Sequence, residues 1–99
     1  MYRGTTQTHT ISTEIELGNA VVIYVTYQQN RKTVLEKTID DIRITEDGIE
    51  VSLTQEETLL FDSKRRALVQ IRARFGTGQA VASNVMNVDV KKILKEGVI

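Results

Sequence analysis

Few side chains in this sequence could do chemistry. His9 could act as a general base or a metal ligand, because neutral imidazole serves both roles near neutral pH. Asp40-Asp41 and Glu46-Asp47 are adjacent carboxylates of the kind that can hold a divalent cation. A single histidine leaves a Ser-His-Asp triad arithmetically open but excludes a site with two or more histidine ligands. The absence of cysteine excludes disulfides, thiolate catalysis and cysteine-rich zinc sites. No EF-hand spacing, phosphate-cradling glycine loop, GxSxG or HExxH pattern occurs.

The elements that carry these candidates favour structural roles. Thr8 to Leu17, THTISTEIEL, alternates strictly, with His9, Ile11, Thr13, Ile15 and Leu17 on one face and Thr10, Ser12, Glu14 and Glu16 on the other. That is a half-buried strand. His9 stands on its apolar face with no second ligand nearby, so packing is its expected role. Neighbouring residues on a strand point to opposite faces, and both carboxylate pairs fall where turns are expected, so turn formation and solvation explain them. The expectation is a non-enzymatic chain with no catalytic residue, metal or cofactor.

Gly18-Asn19 breaks the first strand, and Ala20 to Gln28 forms a second that is apolar on both faces. Asn30-Arg31 marks a reversal before a third strand, Lys32 to Ile39, with Leu35 and Ile39 on one face. In DIRITEDGIEVSLT, Asp47-Gly48 lies between two alternating runs and can form a primed turn. A two-residue turn would pair Ile44 with Val51 and Ile42 with Leu53. A four-residue loop would pair Ile44 with Ile49 and Ile42 with Val51, and an odd loop would put Ile44 opposite Glu50. Thr54-Gln55-Glu56-Glu57 has the form of a capping box, predicting a short helix near residues 55–60. ALVQIRARF then places Ala67, Val69, Ile71, Ala73 and Phe75 on one face and Gln70, Arg72 and Arg74 on the other. The last strand, Gln79 to Val90, changes phase near Ser83-Asn84, as a bulge or burial on both faces would require. Residues 91–99 form a turn or arm.

About seven short strands and one short helix predict an all-β, antiparallel β-sandwich of immunoglobulin-like topology, with an open barrel as the alternative. The 99 residues make a single domain, 40% hydrophobic and 26% charged. A domain of this size buries roughly 65% of the surface its unfolded chain exposes, which leaves a modest stability surplus. The longest apolar run, Ala20 to Val25, is six residues, and the opening MYRGTT is not that of a signal peptide. Neither membrane insertion nor export is expected.

Thirteen basic and thirteen acidic residues sum to zero, but the zero is a cancellation. Residues 1–62 hold five basic and eleven acidic side chains, and residues 63–99 hold eight basic and two acidic. Lys64, Arg65 and Arg66 cluster before one strand, Arg72 and Arg74 follow on its polar face, and Lys91-Lys92 follow the last strand. Three readings exist: charges that solvate an intermixed sandwich, acidic and basic parts that meet between copies, and a basic face for nucleic acid. No aromatic residue is interleaved on that basic face to stack bases, so nucleic acid is not the expected partner.

The second strand offers another interface clue. A tight Gly18-Asn19 hairpin would pair Ile15 with Val22 and Thr13 with Tyr24, leaving Val21, Ile23 and Val25 beside Glu14 and Glu16. Burial on both faces, a looser connection or a neighbouring subunit would resolve that exposed apolar surface. The candidate interface is therefore Val22, Tyr24, Lys64, Arg65, Arg66, Arg72 and Arg74.

Tyr2-Arg3-Gly4-Thr5-Thr6 with Thr8-His9-Thr10, VSLTQEETLLFD (51–62) and AVASNVMNVDVKKILKEGVI (80–99) together resemble small phage and prophage proteins encoded among tail genes. The chain is similar to the N-terminal domain of phage baseplate upper proteins. The resemblance implies a β-sandwich and a virion or tail-assembly component, found in the particle or in the host cytoplasm during assembly. Other tail or baseplate proteins would be its partners, or further copies of itself. Baseplate upper proteins generally continue into a fibre or receptor-facing region, and with Ile99 last the implied role is an accessory, adaptor or assembly component. A regulator or inhibitor binding a host protein or nucleic acid through the basic residues is the alternative.

Overall fold

The computed structural model describes residues 1–99. Two antiparallel sheets face each other as a sandwich. The smaller has the order β1-β5-β4, from β1 (Gln7–Ser12), β5 (Gly48–Leu53) and β4 (Ile42–Ile44). The larger runs from β3 (Lys32–Thr38) through β2 (Ala20–Gln29) to β6 (Ala67–Phe75), which pairs along its far side with both β7 (Ala80–Ala82) and β8 (Met86–Val88). The sheets are separate, so the open-barrel alternative does not hold.

Alternation builds the core. Ile23, Val25 and Tyr27 of β2 and Ala67, Val69, Ile71 and Ala73 of β6 point inward against Ile11, Ile49, Val51 and Leu53 of the smaller sheet. Phe61, from the segment after α1 (Gln55–Thr58), closes one end of this core, edge-on to Tyr27 at 5.7 Å between ring centroids. Such pairs add about 0.5–1.5 kcal/mol beyond their buried area.

The tight β1–β2 hairpin does not form. β1 ends at Ser12 and pairs with β5, Ile11 opposite Ile49, while β2 pairs with β3 and β6. Residues 13–19 cross between the sheets, which lets Leu17 enter the core and makes Leu17–Asn19 a 3-10 turn. β2 is thus a central strand with Ile23, Val25 and Tyr27 buried and Tyr24 exposed. Val21, the residue left unpaired by the register shift between Ala20 and Val22, is also exposed.

β4 and β5 take the register expected for the four-residue loop, with Ile44 opposite Ile49 and Ile42 opposite Val51, and the Thr45 N–H to Gly48 carbonyl bond carries the pairing one step further. Gly48 is consequently in β5 and not in a primed turn. A Cβ there would lie 1.9 Å from the Ile11 carbonyl oxygen, so close backbone approach is what requires glycine. The Asn30-Arg31 reversal is the tight one: φ is 52° and 63°, and Gln29 pairs with Lys32. The strand count is eight because the last strand divides. β8 pairs with β6 one residue out of step with β7, as Arg72 opposite Ala82 and Val69 opposite Met86 show. Ser83 spans the step, its N–H donating to the Ile71 carbonyl and its Oγ accepting from the Ile71 N–H.

The capping box is formed: the Thr54 Oγ1 accepts from the Glu57 N–H at 3.2 Å and a Glu57 carboxylate oxygen accepts from the Thr54 N–H at 2.9 Å. The helix is a single turn. Thr58, fully buried, donates to the Thr5 carbonyl and accepts from the Thr5 N–H. No helix is long and apolar enough to cross a membrane.

Candidate interaction surfaces

The seven candidate residues fall in two places. Val22, Tyr24, Arg72 and Arg74 meet on the outer face of the larger sheet, with Tyr24 opposite Arg72 and Val22 opposite Arg74. With Ala80 they line a shallow cleft of about 170 Å³. Tyr24 is 43% exposed, Val22 is half-buried and both arginines are exposed. Neither arginine has a carboxylate partner among the ion pairs of the chain. Leu68 and Val85, 40% and 53% exposed, border a second hollow along the same face, with Thr26, Gln28 and Gln70. Leu68 was legible from parity, since it shares the Gln70, Arg72, Arg74 row of β6; Val85 sits in the step between β7 and β8 and was not.

Lys64, Arg65 and Arg66 lie elsewhere, before β6 begins. At about 3.3 Å per residue, Arg66 is roughly 20 Å from Arg72 along the strand, and Leu68 and Gln70 intervene. The five basic residues do not form one continuous face. Their neighbours are instead Asp89 and Lys91, which line the same hollow.

That end is held by one buried side chain. Gln29, at 7% exposure, accepts from the Asp62 N–H at 2.7 Å and donates to the carbonyls of Asp62, at 2.8 Å, and Arg65, at 3.0 Å. Arg65 reaches Asn30 in the β2–β3 turn, Arg66 pairs with Asp89 at 3.3 Å, and the Met1 ammonium donates to the Asp89 carbonyl. The Arg66–Asp89 pair is about 70% exposed on both sides and contributes little to stability. Segments 30–32, 62–66 and 89–92 thus share one end of the molecule, with seven basic and two acidic residues. The opposite end carries the crossover 13–19 and the β4–β5 loop, joined by the Thr13 N–H to Asp47 carbonyl bond at 2.9 Å. Glu14, Glu16, Glu46 and Asp47 are all exposed there, and those two segments contain no basic residue. The sequence asymmetry has become an asymmetry between ends, which periodicity alone did not reveal because it depends on strand directions.

One long side of the sandwich is closed by the 3-10 turn Ile39–Asp41 between β3 and β4, and the other is open between β1 and β8. The open side forms a groove of about 480 Å³ lined by Thr8 to Ser12 and Met86 to Val88. The closed side carries Lys32, Glu36, Lys37 and Arg43, whereas β1 and β8 carry no formal charge.

His9 sits between the sheets, its Nδ1 2.8 Å from the Tyr27 hydroxyl. Burial and, less so, the N-terminal ammonium hold the imidazole pKa below its usual 6.5. Burial also raises the Tyr27 phenol, so a protonated hydroxyl shares this hydrogen bond with a neutral imidazole. The ring braces β1 against β2. Asp41 accepts from the Thr38 N–H and hydroxyl, which lower its pKa, so this carboxylate is a turn cap. Glu57 is raised by desolvation but lowered more by Lys37, at 2.6 Å, and the Thr54 N–H. No three His, Cys, Asp or Glu side chains converge as a metal cage would require.

Parts of the three segments quoted for the resemblance, Arg3-Gly4, Gln55 to Phe61 and Ile93 to Ile99, meet near the buried Phe61. Arg3 Nε and Nη2 donate to the carbonyls of Phe61 and Leu59, and its Nη1 binds Glu96. Gly4, at φ 71°, packs where a Cβ would lie 2.6 Å from Ile93. Gln55 exchanges hydrogen bonds with the backbone of Ile99. In this chain those motifs knit the amino-terminal segment, α1 and the tail together. No family model, curated protein or solved structure matches the chain.

Proposed function

We propose that this protein is a non-enzymatic structural or assembly component of a phage or prophage tail, of the baseplate type, working through protein–protein contacts. The observation that supports it most is the outer face of the larger sheet, where two unpaired arginines flank an exposed tyrosine and a half-buried valine. Arginine and tyrosine beside apolar surface are enriched where proteins meet, because both present large contact area with a polar tip. The tail assignment itself rests on the resemblance of residues 2–10, 51–62 and 80–99 to tail-encoded proteins.

The partners are co-encoded tail or baseplate proteins, and the protein resides in the particle or in the host cytoplasm during assembly. Mass spectrometry of purified particles, with titration of the isolated protein against each co-encoded tail protein, tests the proposal. The protein should be present in fixed copy number, and Tyr24→Ala with Arg72→Ala should weaken the partner complex at least tenfold. Absence from particles together with no binding to any tail protein refutes it.

A further inference from the structure

We infer that copies of this chain associate end to end, the acidic end of one against the basic end of the next. This goes beyond the tail assignment and stands on the charges alone. The body measures 48 × 25 × 17 Å, and its strands define the long dimension: the ten residues of β2 alone span roughly 33 Å. Glu14, Glu16, Glu46 and Asp47 project at one pole, free of any ion pair. At the other, Lys64, Arg65, Lys91 and Lys92 are exposed and equally unpaired. Arg43, three residues before Glu46, is taken up by Glu50 on the neighbouring strand, and Arg72 and Arg74 project from the sheet face and not from the end.

A second copy is the occupant that these charges select. The chain has no net charge, so copies approach without long-range repulsion, yet each carries both halves of a complementary pair. A two-fold contact through either pole would oppose like charges, acid to acid or base to base. Among end-to-end contacts only a heterologous one joins opposites, and such contacts close into rings or run on as filaments. The end cross-section, 25 × 17 Å, offers roughly 400 Å² per partner, about half of a standard stable interface. The contact is therefore weak, reversible and dominated by exposed charges, which ~1 M salt screens within about 3 Å.

Sedimentation equilibrium of the isolated protein at up to about 1 mM, in 20 mM and in 500 mM salt, reads this directly. At low salt the weight-average mass should exceed 11.2 kDa and rise with concentration; at high salt it should return to 11.2 kDa, with at least a tenfold weaker dissociation constant. Lys64→Glu with Arg65→Glu should be monomeric alone, as should Glu46→Lys with Asp47→Lys. Mixing the two variants should restore association, because each retains the pole that the other needs, and recovery on mixing also shows that both are folded. A wild type that remains monomeric at low salt, association that strengthens with salt, or single variants that associate like the wild type overturns the inference. So does a monomer whose basic pole binds single-stranded nucleic acid and loses it on reversal. Failure here leaves the particle test of the tail assignment standing.

Discussion

Replacing Gln29 by methionine removes three hydrogen bonds while leaving chain length and packing volume nearly unchanged. Net hydrogen bonds contribute about 0.5–1.5 kcal/mol each, which sets a range near 3 kcal/mol for the set. The groups set free are the Asp62 N–H and C=O and the Arg65 C=O, and both residues are exposed, so water replaces part of the loss. The expected destabilisation is about 2 kcal/mol, or a fall in Tm of roughly 8–16 °C for a domain of this size. Urea unfolding followed by circular dichroism measures it, with Gln28→Met, a half-buried neighbour outside the clamp, as the control expected within about 0.5 kcal/mol. A Gln29→Met variant as stable as that control would refute the account of how residues 62–66 are held. The loosened loop should also become the first site of proteolysis, since Lys64, Arg65 and Arg66 would lose their tether to β2.

Gly48→Ala should cost more than about 3 kcal/mol by denaturant unfolding, because its Cβ would strike the Ile11 carbonyl, whereas Gly76→Ala, facing open space, should stay within about 0.5 kcal/mol; equal effects would refute the close-approach argument. Arg31→Gly should stabilise by about 0.5–1 kcal/mol, since a side chain at φ 63° is strained and Asn-Gly suits this two-residue turn; a loss would contradict it. His9 is harder to protonate folded than unfolded, so its contribution is full above pH 6.5 and is lost as pH falls below that toward its lowered folded value. Stability measured from pH 7.5 to 5 should therefore decline in the wild type and much less in His9→Gln, and identical slopes would refute the brace.

The parts of the fold readable in the sequence are those decided within a few residues. The Thr54–Glu57 box is a contact across three positions, and the alternation of Ala67 to Phe75 sets which side chains enter the core whatever strand lies alongside. The even loop between Ile44 and Ile49 follows from parity, and the phase change at Ser83-Asn84 appeared as the step that divides β7 from β8. Strand partners were a different matter. The pattern of Thr8 to Leu17 fits a neighbour at β2 or at β5 equally well, and the choice turned on burial of Leu17 and on Gly48 admitting the Ile11 backbone. For the same reason Val22 and Tyr24 joined Arg72 and Arg74 through β2–β6 pairing, while Lys64, Arg65 and Arg66 did not.

The step at Ser83 also bears on how a further strand would meet the open edge of the larger sheet. A sheet edge without charge or proline invites a further strand from another molecule, and the β7–β8 edge has neither safeguard. Because β8 is offset from β7 by one residue, a regular incoming strand that matches one is displaced against the other. Growth of a cross-β ladder would stall after about three residues, so a misplaced serine in a broken strand supplies the protection that lysines provide on the opposite side.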